Sequence, residues 1–335
     1  AGAGDRNPAP VTHRPARTYA ASTVEPLAAG GPLRTESEID VLVLGGAGVD
    51  TIVYVPELPL PFADSHLVPA IETRAGQTGD FLAVAAHALG LRTHHLDLLG
   101  DDHEGDLVRA LHRDRGVPLT EGPLPGGTRR AVNLVGPDGR RCSLYDGSRS
   151  QQVDELPPDA VRALARVSRH VHVSISQPCA ASLPLLHELG VPVSTDLHDW
   201  DGSDPYHEEY AHAADLVFLS AARLTDPERT MRRITERGRA RTVVATDGAR
   251  GAYHLVDGAL SHVPPVTPPS PVVDSNGAGD AFAAGYLFGR LTGEPPHRCA
   301  LYGAIAGAHA CTVPSTRTDS VSRAELLARA GEPAR

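Results

Sequence analysis

Residues 274–282 read Asp-Ser-Asn-Gly-Ala-Gly-Asp-Ala-Phe, three small residues and then a carboxylate at the point where a helical pattern begins. Gly277, Ala278 and Gly279 would open that helix with free backbone N–H groups and no bulky side chain in front of them. Unpaired donors and the positive end of the helix dipole then point the same way, which makes such a terminus an anion site. The chemistry it suits is holding a phosphoryl group while charge spreads over its equatorial oxygens. Asp280 follows at once. A carboxylate there repels phosphate unless it has separate work, and taking a proton from an attacking hydroxyl is such work. The plainer alternative is an Asp capping its own helix. The helix end is expected to keep Asp280 ionised and weakly basic, which suffices where the transition state is loose.

Other chemistry-bearing residues are weaker signals. Among 17 histidines, His170 and His172 would share one face of a strand, and His94 and His95 sit near another strand end. No HExxH and no Cys/His cluster accompanies them, so packing and surface roles are expected. Residues 44–50, Leu-Gly-Gly-Ala-Gly-Val-Asp, are not a dinucleotide fingerprint: GxGxxG is incomplete, and Asp50 follows the turn directly instead of ending a second strand. Arg129, Arg130, Arg140 and Arg141 form a basic cluster that is either solvated or in contact with an anionic ligand.

Composition narrows the field. The chain has 335 residues and a net charge of −10, so it can bury a substantial α/β core and carries no overall nucleic-acid footprint. All 31 residues pooled as Lys and Arg are arginine, which excludes a P-loop lysine, a Schiff base and a lysine general base. Four scattered cysteines and the absence of an apolar run of membrane-spanning length lead to the expectation of a reduced, cytoplasmic protein with no membrane partner.

The elements that must position these residues show two textures. Residues 1–38 are rich in Ala, Pro, Gly and Arg without periodicity, and are expected to be a flexible extension to a domain at 39–335. Short β-rich runs at 40–45, 93–98, 170–175, 191–195, 215–219 and 241–246 alternate with helical patterns, several closing on Gly. That alternation predicts a mostly parallel sheet covered by helices on both faces. Pieces near 51–56, 66–74, 128–136 and 139–146 have no helix between them, and Gly-Pro-Asp-Gly at 136–139 signals a hairpin. They predict a small antiparallel sheet projecting from the main domain.

In order along roughly residues 40–315, these segments resemble the ribokinase-like, phosphofructokinase-B type carbohydrate and nucleoside kinases. Residues 274–287 are similar to the C-terminal signature, of which Gly-Asp-Ala-Phe (279–282) is the most specific piece. The turn ending in Asp50, the glycine segment 75–90, the Gly-Asp-Asp segment at 100–102 and Thr246-Asp-Gly248 match the family's other landmarks.

The resemblance implies a Rossmann-like three-layer α/β/α domain with a mostly parallel central sheet and a β lid. It implies ATP along the loops near 246–251 and 264–279, contacted by Thr246, Gly248, Gly251, Asn276, Gly277 and Gly279. Asp50, Gly76, Gln77, Asp80 and Asp280 would face a sugar or nucleoside acceptor, with Asp280 as base. Magnesium, a monovalent cation such as K⁺, and a homodimer through the lid strands are further implications.

Three departures stand out. Ser220 and Arg223 replace the Asn and Glu that organise magnesium, so the metal ligands stay unassigned and binding mainly through ATP oxygens is expected. Gln77 and Phe81 replace a Gly and a substrate-binding Asn, a role Asp80 takes if the loop shifts. Residues 195–200, Thr-Asp-Leu-His-Asp-Trp, keep only Asp196 of the Asp-Pro-Asn-x-Arg segment. The leading expectation is an ATP-dependent kinase acting on a hydroxymethyl group. A nucleoside kinase, with Phe81 stacking on a base, and a sugar- or nucleotide-binding sensor that has lost efficient transfer are the alternatives.

Overall fold

The computed structural model describes residues 38–149, 155–314 and 319–331, so the expected extension at 1–38 lies, apart from its last residue, outside the described residues. The chain begins with β1 (Val41–Leu44), the lid strands β2 (Val49–Tyr54) and β3 (Ala70–Ala75), α1 (Thr78–Ala88), β4 (Thr93–Leu99) and α2 (His103–Arg115). Then come β5 (Leu119–Pro123), β6 (Arg130–Val135), β7 (Arg141–Tyr145), α3 (Pro158–Arg166), β8 (Val171–Ser174), α4 (Gln177–Ala180) and α5 (Leu183–Leu189). Next are β9 (Val193–Asp196), α6 (Pro205–Ala213), β10 (Leu216–Ser220), α7 (Pro227–Arg237), β11 (Thr242–Thr246), β12 (Ala252–Val256) and β13 (Ala259–Val263). The helices α8 (Ala278–Leu291), α9 (Pro296–Ala310) and α10 (Arg323–Arg329) complete the described residues.

The main sheet has nine strands in the order β13-β12-β11-β10-β9-β8-β1-β4-β5. Pairings from β11 to β5 are parallel, and β12 and β13 add an antiparallel edge. The parallel strands are buried on both faces, as their continuous apolar runs require. In β1, Leu42 and Leu44 enter the core under α3, α5, α6 and α7, while Val41 and Val43 enter the core under α1, α8, α9 and α10. Each such side chain contributes about 1.5–3 kcal/mol on burial. The seat of α8 is tight: a Cβ on Gly285 would lie 2.6 Å from the carbonyl oxygen of Tyr302 on α9. Glycine there lets the two helices lock together, which holds the start of α8 in place.

The four lid strands appear where the sequence places them, in the order β3-β2-β6-β7. The predicted 136–139 turn joins β6 to β7, with the Gly139 amide donating to Gly136 at 3.0 Å. The lid is not wholly antiparallel, because its central pair β2–β6 runs parallel. Strands β5, β12 and β13 were not anticipated.

Candidate active site

Ligand-binding loops in an open α/β sheet lie beyond the carboxyl ends of the strands. Here Asp196, Ser220 and Thr246 finish β9, β10 and β11, and strand register sets Ser220 beside Thr246 and Phe218 beside Asp196. The turn Gly248–Arg250 follows Thr246, and Asp247 closes it by pairing with Arg250 at 2.6 Å. Gly251 turns the chain into β12 with its α-carbon against Val263, where a Cβ would meet a carbonyl oxygen at 2.1 Å. Thr246, Gly248 and Gly251 thus form one tight loop at the end of β11.

The candidate phosphoryl end is built from backbone. Asp274 is buried and accepts the Asn276 amide at 2.8 Å, which turns the chain toward α8. Gly277 is the N-cap in the left-handed region (φ 76°), a conformation that side chains disfavour. No side chain caps this helix. The Ala278 amide reaches Ser275 O at 3.3 Å and the Ala281 amide closes on Gly277 O at 2.9 Å. Among the described residues the intervening amides of Gly279 and Asp280 have no protein acceptor, and Gly279 is exposed. Arg141, on lid strand β7, donates to the Asn276 side chain and so ties the lid to this loop.

Asp280 stands half-buried in the first turn. Desolvation lifts its pKa to about 7, with Asp196 adding to the rise and His198, Arg141 and Arg74 opposing it. This departs from the expectation of a fully ionised, weak base: loss of water outweighs the pull of His198, Arg141 and Arg74. A carboxyl that titrates near neutrality is better matched to general-base work. His198, the residue after Leu197, adopts a left-handed backbone (φ 51°), donates its amide to Asp196 at 2.8 Å, and brings an imidazole to the same wall.

The candidate acceptor end is built from side chains. Asp50, in β2, is buried; it accepts Gln77 Nε2 at 3.1 Å and Arg74 Nη2 at 3.3 Å. Desolvation raises its pKa against the pull of Arg74 and Gln77. Gly76 closes this corner, its amide donating to Gly48 O at 2.9 Å.

Asp80 does not join them. It is fully buried at the start of α1, where one oxygen accepts the Gly48 and Gln77 amides at 3.0 and 3.2 Å and the other accepts His112 Nε2 at 2.8 Å. Burial alone would raise its pKa, but His112 and His95 hold it well below the usual carboxylate range. Asp80 therefore fixes the loop that carries Asp50 and has no face for an acceptor, contrary to the sequence expectation. Phe81 does not present a free ring either: it lies under the Arg74 guanidinium at 4.3 Å and against Gly277.

Asp80, His95 and His112 are the one trio of metal-capable donors among the described residues. They sit inside the protein in mutual hydrogen bonds, with His95 Nε2 on Gly45 O at 3.0 Å. Nothing places them beside the amides of α8. His170 and His172 likewise spend their ring nitrogens on Ser194, at 2.8 and 2.9 Å.

For magnesium, the 220–223 segment offers nothing. Ser220 caps its own turn at 3.2 Å, and Arg223 pairs with Asp199 at 3.5 Å. Asp196 fits better, since its Oδ2 lies 3.7 Å from where a Gly279 Cβ would stand and supplies a hard oxygen beside the anion site.

Of the basic cluster, only Arg141 reaches the site. Arg129 pairs with Asp97 at 3.0 Å, Arg130 with Asp146 at 2.9 Å and Arg140 with Asp138 at 2.6 Å. Sequence reasoning missed Arg74 altogether. The available signal was a lone arginine opposite Asp50 in a strand pair, visible only once the register is known.

Comparison with known proteins identifies a family and a fold. A profile of the pfkB family carbohydrate kinases matches residues 210–323. The chain is 60% identical over 290 residues to an acarbose 7(IV)-phosphotransferase of Actinoplanes sp., covering 86% of this chain and 97% of that protein. It superimposes on a microbiome-derived acarbose kinase at 42% identity and a TM-score of 0.79, covering 86% of this chain and 98% of the other. The fold is also that of Arabidopsis thaliana ribokinase complexed with ribose and ATP (21% identity, TM-score 0.72, covering 87% and 98%).

Proposed function

We propose, for a chain that belongs to the pfkB family of carbohydrate kinases, that acarbose or a closely related sugar is the acceptor of its ATP-dependent phosphotransfer. The observation that carries the choice is the extent of likeness to the acarbose phosphotransferase, 60% identity over nearly its whole length. In this reading the amides of Gly279 and Asp280 receive the transferring phosphoryl group, and Asn276 is held for the nucleotide side by Arg141. Thr246, Gly248 and Gly251 flank the nucleotide. Asp50 orients the acceptor, and Asp280 takes its proton as the oxygen attacks.

Magnesium, when bound with ATP, neutralises phosphate charge, and Asp196 is the residue we assign to hold it through its water shell. The requirement for ATP suits a cytoplasmic setting. A homodimer through the lid is supported by the exposed apolar side chains of Ile71, Leu144 and Tyr145 on its two outer strands, and sedimentation would test it.

The acceptor is tested by coupled ADP release with MgATP over a panel led by acarbose and including ribose and cytidine. The expected result is turnover with acarbose well above the ATP-only rate. ADP release that acarbose leaves unchanged, with turnover on a nucleoside instead, would overturn it.

A further inference from the structure

Arg74 is a buried cation with unfinished bonding. It lies on lid strand β3, 7% exposed, directly across the antiparallel pair from Asp50. Its Nη2 donates to Asp50 Oδ2 at 3.3 Å and its Nη1 to Gly76 O at 2.5 Å. Its Nε is buried with no partner. The guanidinium rests 4.3 Å above the Phe81 ring, and that ring abuts Gly277 at the head of α8. A cation–π shelf of this kind fixes the plane of the fork. The charge is felt by Asp280 as well as by Asp50.

Asp50 is equally incomplete. One oxygen takes Gln77 and the other takes Arg74, and each keeps lone-pair capacity. Burying a guanidinium N–H without an acceptor is costly, so a rearrangement on binding that brings a ligand oxygen to the Arg74 fork is favoured. A carboxylate that can still accept and a guanidinium that can still donate, side by side in the acceptor corner, match two neighbouring hydroxyls of one ring.

We propose that Arg74 is a specificity-determining residue of the acceptor site, and that Arg74 and Asp50 together grip a vicinal diol of the sugar. One hydroxyl donates to Asp50 while its neighbour accepts from Arg74. Phe81 is a positioning residue that holds the guanidinium in plane. This rests on the sugar-kinase reading and adds to it the chemistry that the acceptor must carry.

The test uses the full chain, MgATP and whichever sugar of the acceptor panel the wild type turns over fastest. Arg74→Ala, Arg74→Lys and Phe81→Leu are compared by steady-state kinetics that separate the KM for acceptor from the KM for ATP. Arg74→Ala should raise the acceptor KM about 10- to 100-fold, with the ATP KM within about twofold, as loss of a charged hydrogen-bonding group predicts. Added guanidinium should recover part of that loss, and Arg74→Lys should be intermediate because it keeps charge without the fork.

The acidic limb of kcat should also move to higher pH in Arg74→Ala. Arg74 opposes protonation of Asp280, whose other charged neighbours are His198, Asp196 and Arg141. A role in folding alone would shift neither the KM ratio nor this limb. An unchanged acceptor KM in Arg74→Ala overturns the proposal. So does an equal loss for both substrates that guanidinium leaves unrescued with the limb unmoved. A wild type that turns over no sugar removes the sugar-kinase reading itself and this proposal with it, whereas an active wild type with indifferent variants removes this proposal alone.

Discussion

The two halves of the candidate site are made of different material. At the proposed phosphoryl end, Gly279 and Asp280 present main-chain amides, the Ala278 amide being taken by Ser275, and the left-handed N-cap at Gly277 aims them. At the acceptor end, Asp50, Arg74 and Gln77 present side chains brought together by pairing of two lid strands and the start of α1. A backbone site reads any phosphoryl group and tolerates little change. A side-chain site can be re-cut for a new acceptor while the transfer machinery stays as it is. In this chain the first end keeps its family's pattern and the second, with Gln77 and Phe81, departs from it.

The largest effect is expected at Asp280. Asp280→Asn should lower kcat by about 10²–10⁴-fold, the span of general-base catalysis, while calorimetric titration shows ATP affinity kept. Gly277→Val comes next. A β-branched residue at φ 76° costs about 1–2 kcal/mol of backbone strain, so displaced amides should cut kcat/KM for ATP roughly 5- to 30-fold. Equal damage to the acceptor KM would blur the division between the two ends.

Arg141→Ala releases the lid from Asn276 and should lower kcat/KM for ATP by about three- to tenfold. Arg140→Ala, which loses only a pair within its own hairpin, should stay within about twofold. The smallest effect concerns stability. Asp280 has its pKa raised in the fold, so the stability associated with its protonated form is full below the unfolded value and is lost as pH rises through about 7. Asp280→Asn should therefore melt a few degrees above wild type at pH 8 and level with it near pH 4. Calorimetric scans at both pH values would show this, and a lower melting temperature at pH 8 would contradict it.

How much of this was legible follows the same division. The start of α8 lies in one short segment, so its glycine N-cap could be read directly, and so could the strand rhythm that becomes β1, β4, β8, β9, β10 and β11. The acceptor end depends on register. Arg74 faces Asp50 only because β2 and β3 pair as they do, and local pattern does not set that pairing. Asp80 was misread because it was judged by its neighbours in sequence, whereas His95 on β4 and His112 on α2 claim it in space. The Asp280 pKa was misjudged because a helix terminus is visible in sequence and desolvation is not. The parallel β2–β6 pair hid for a similar reason, since both of its strands are short and alike in composition.

The account turns on one acid, and the dependence of kcat on pH under saturating MgATP and acceptor tests it most directly. A carboxylate base lifted by desolvation predicts a rate that falls as pH drops, through a single ionisation at about 7, and an Asp280→Asn residual rate without that limb. A wild-type rate that stays level from pH 8 down to 5 would contradict the assignment of Asp280 as the base.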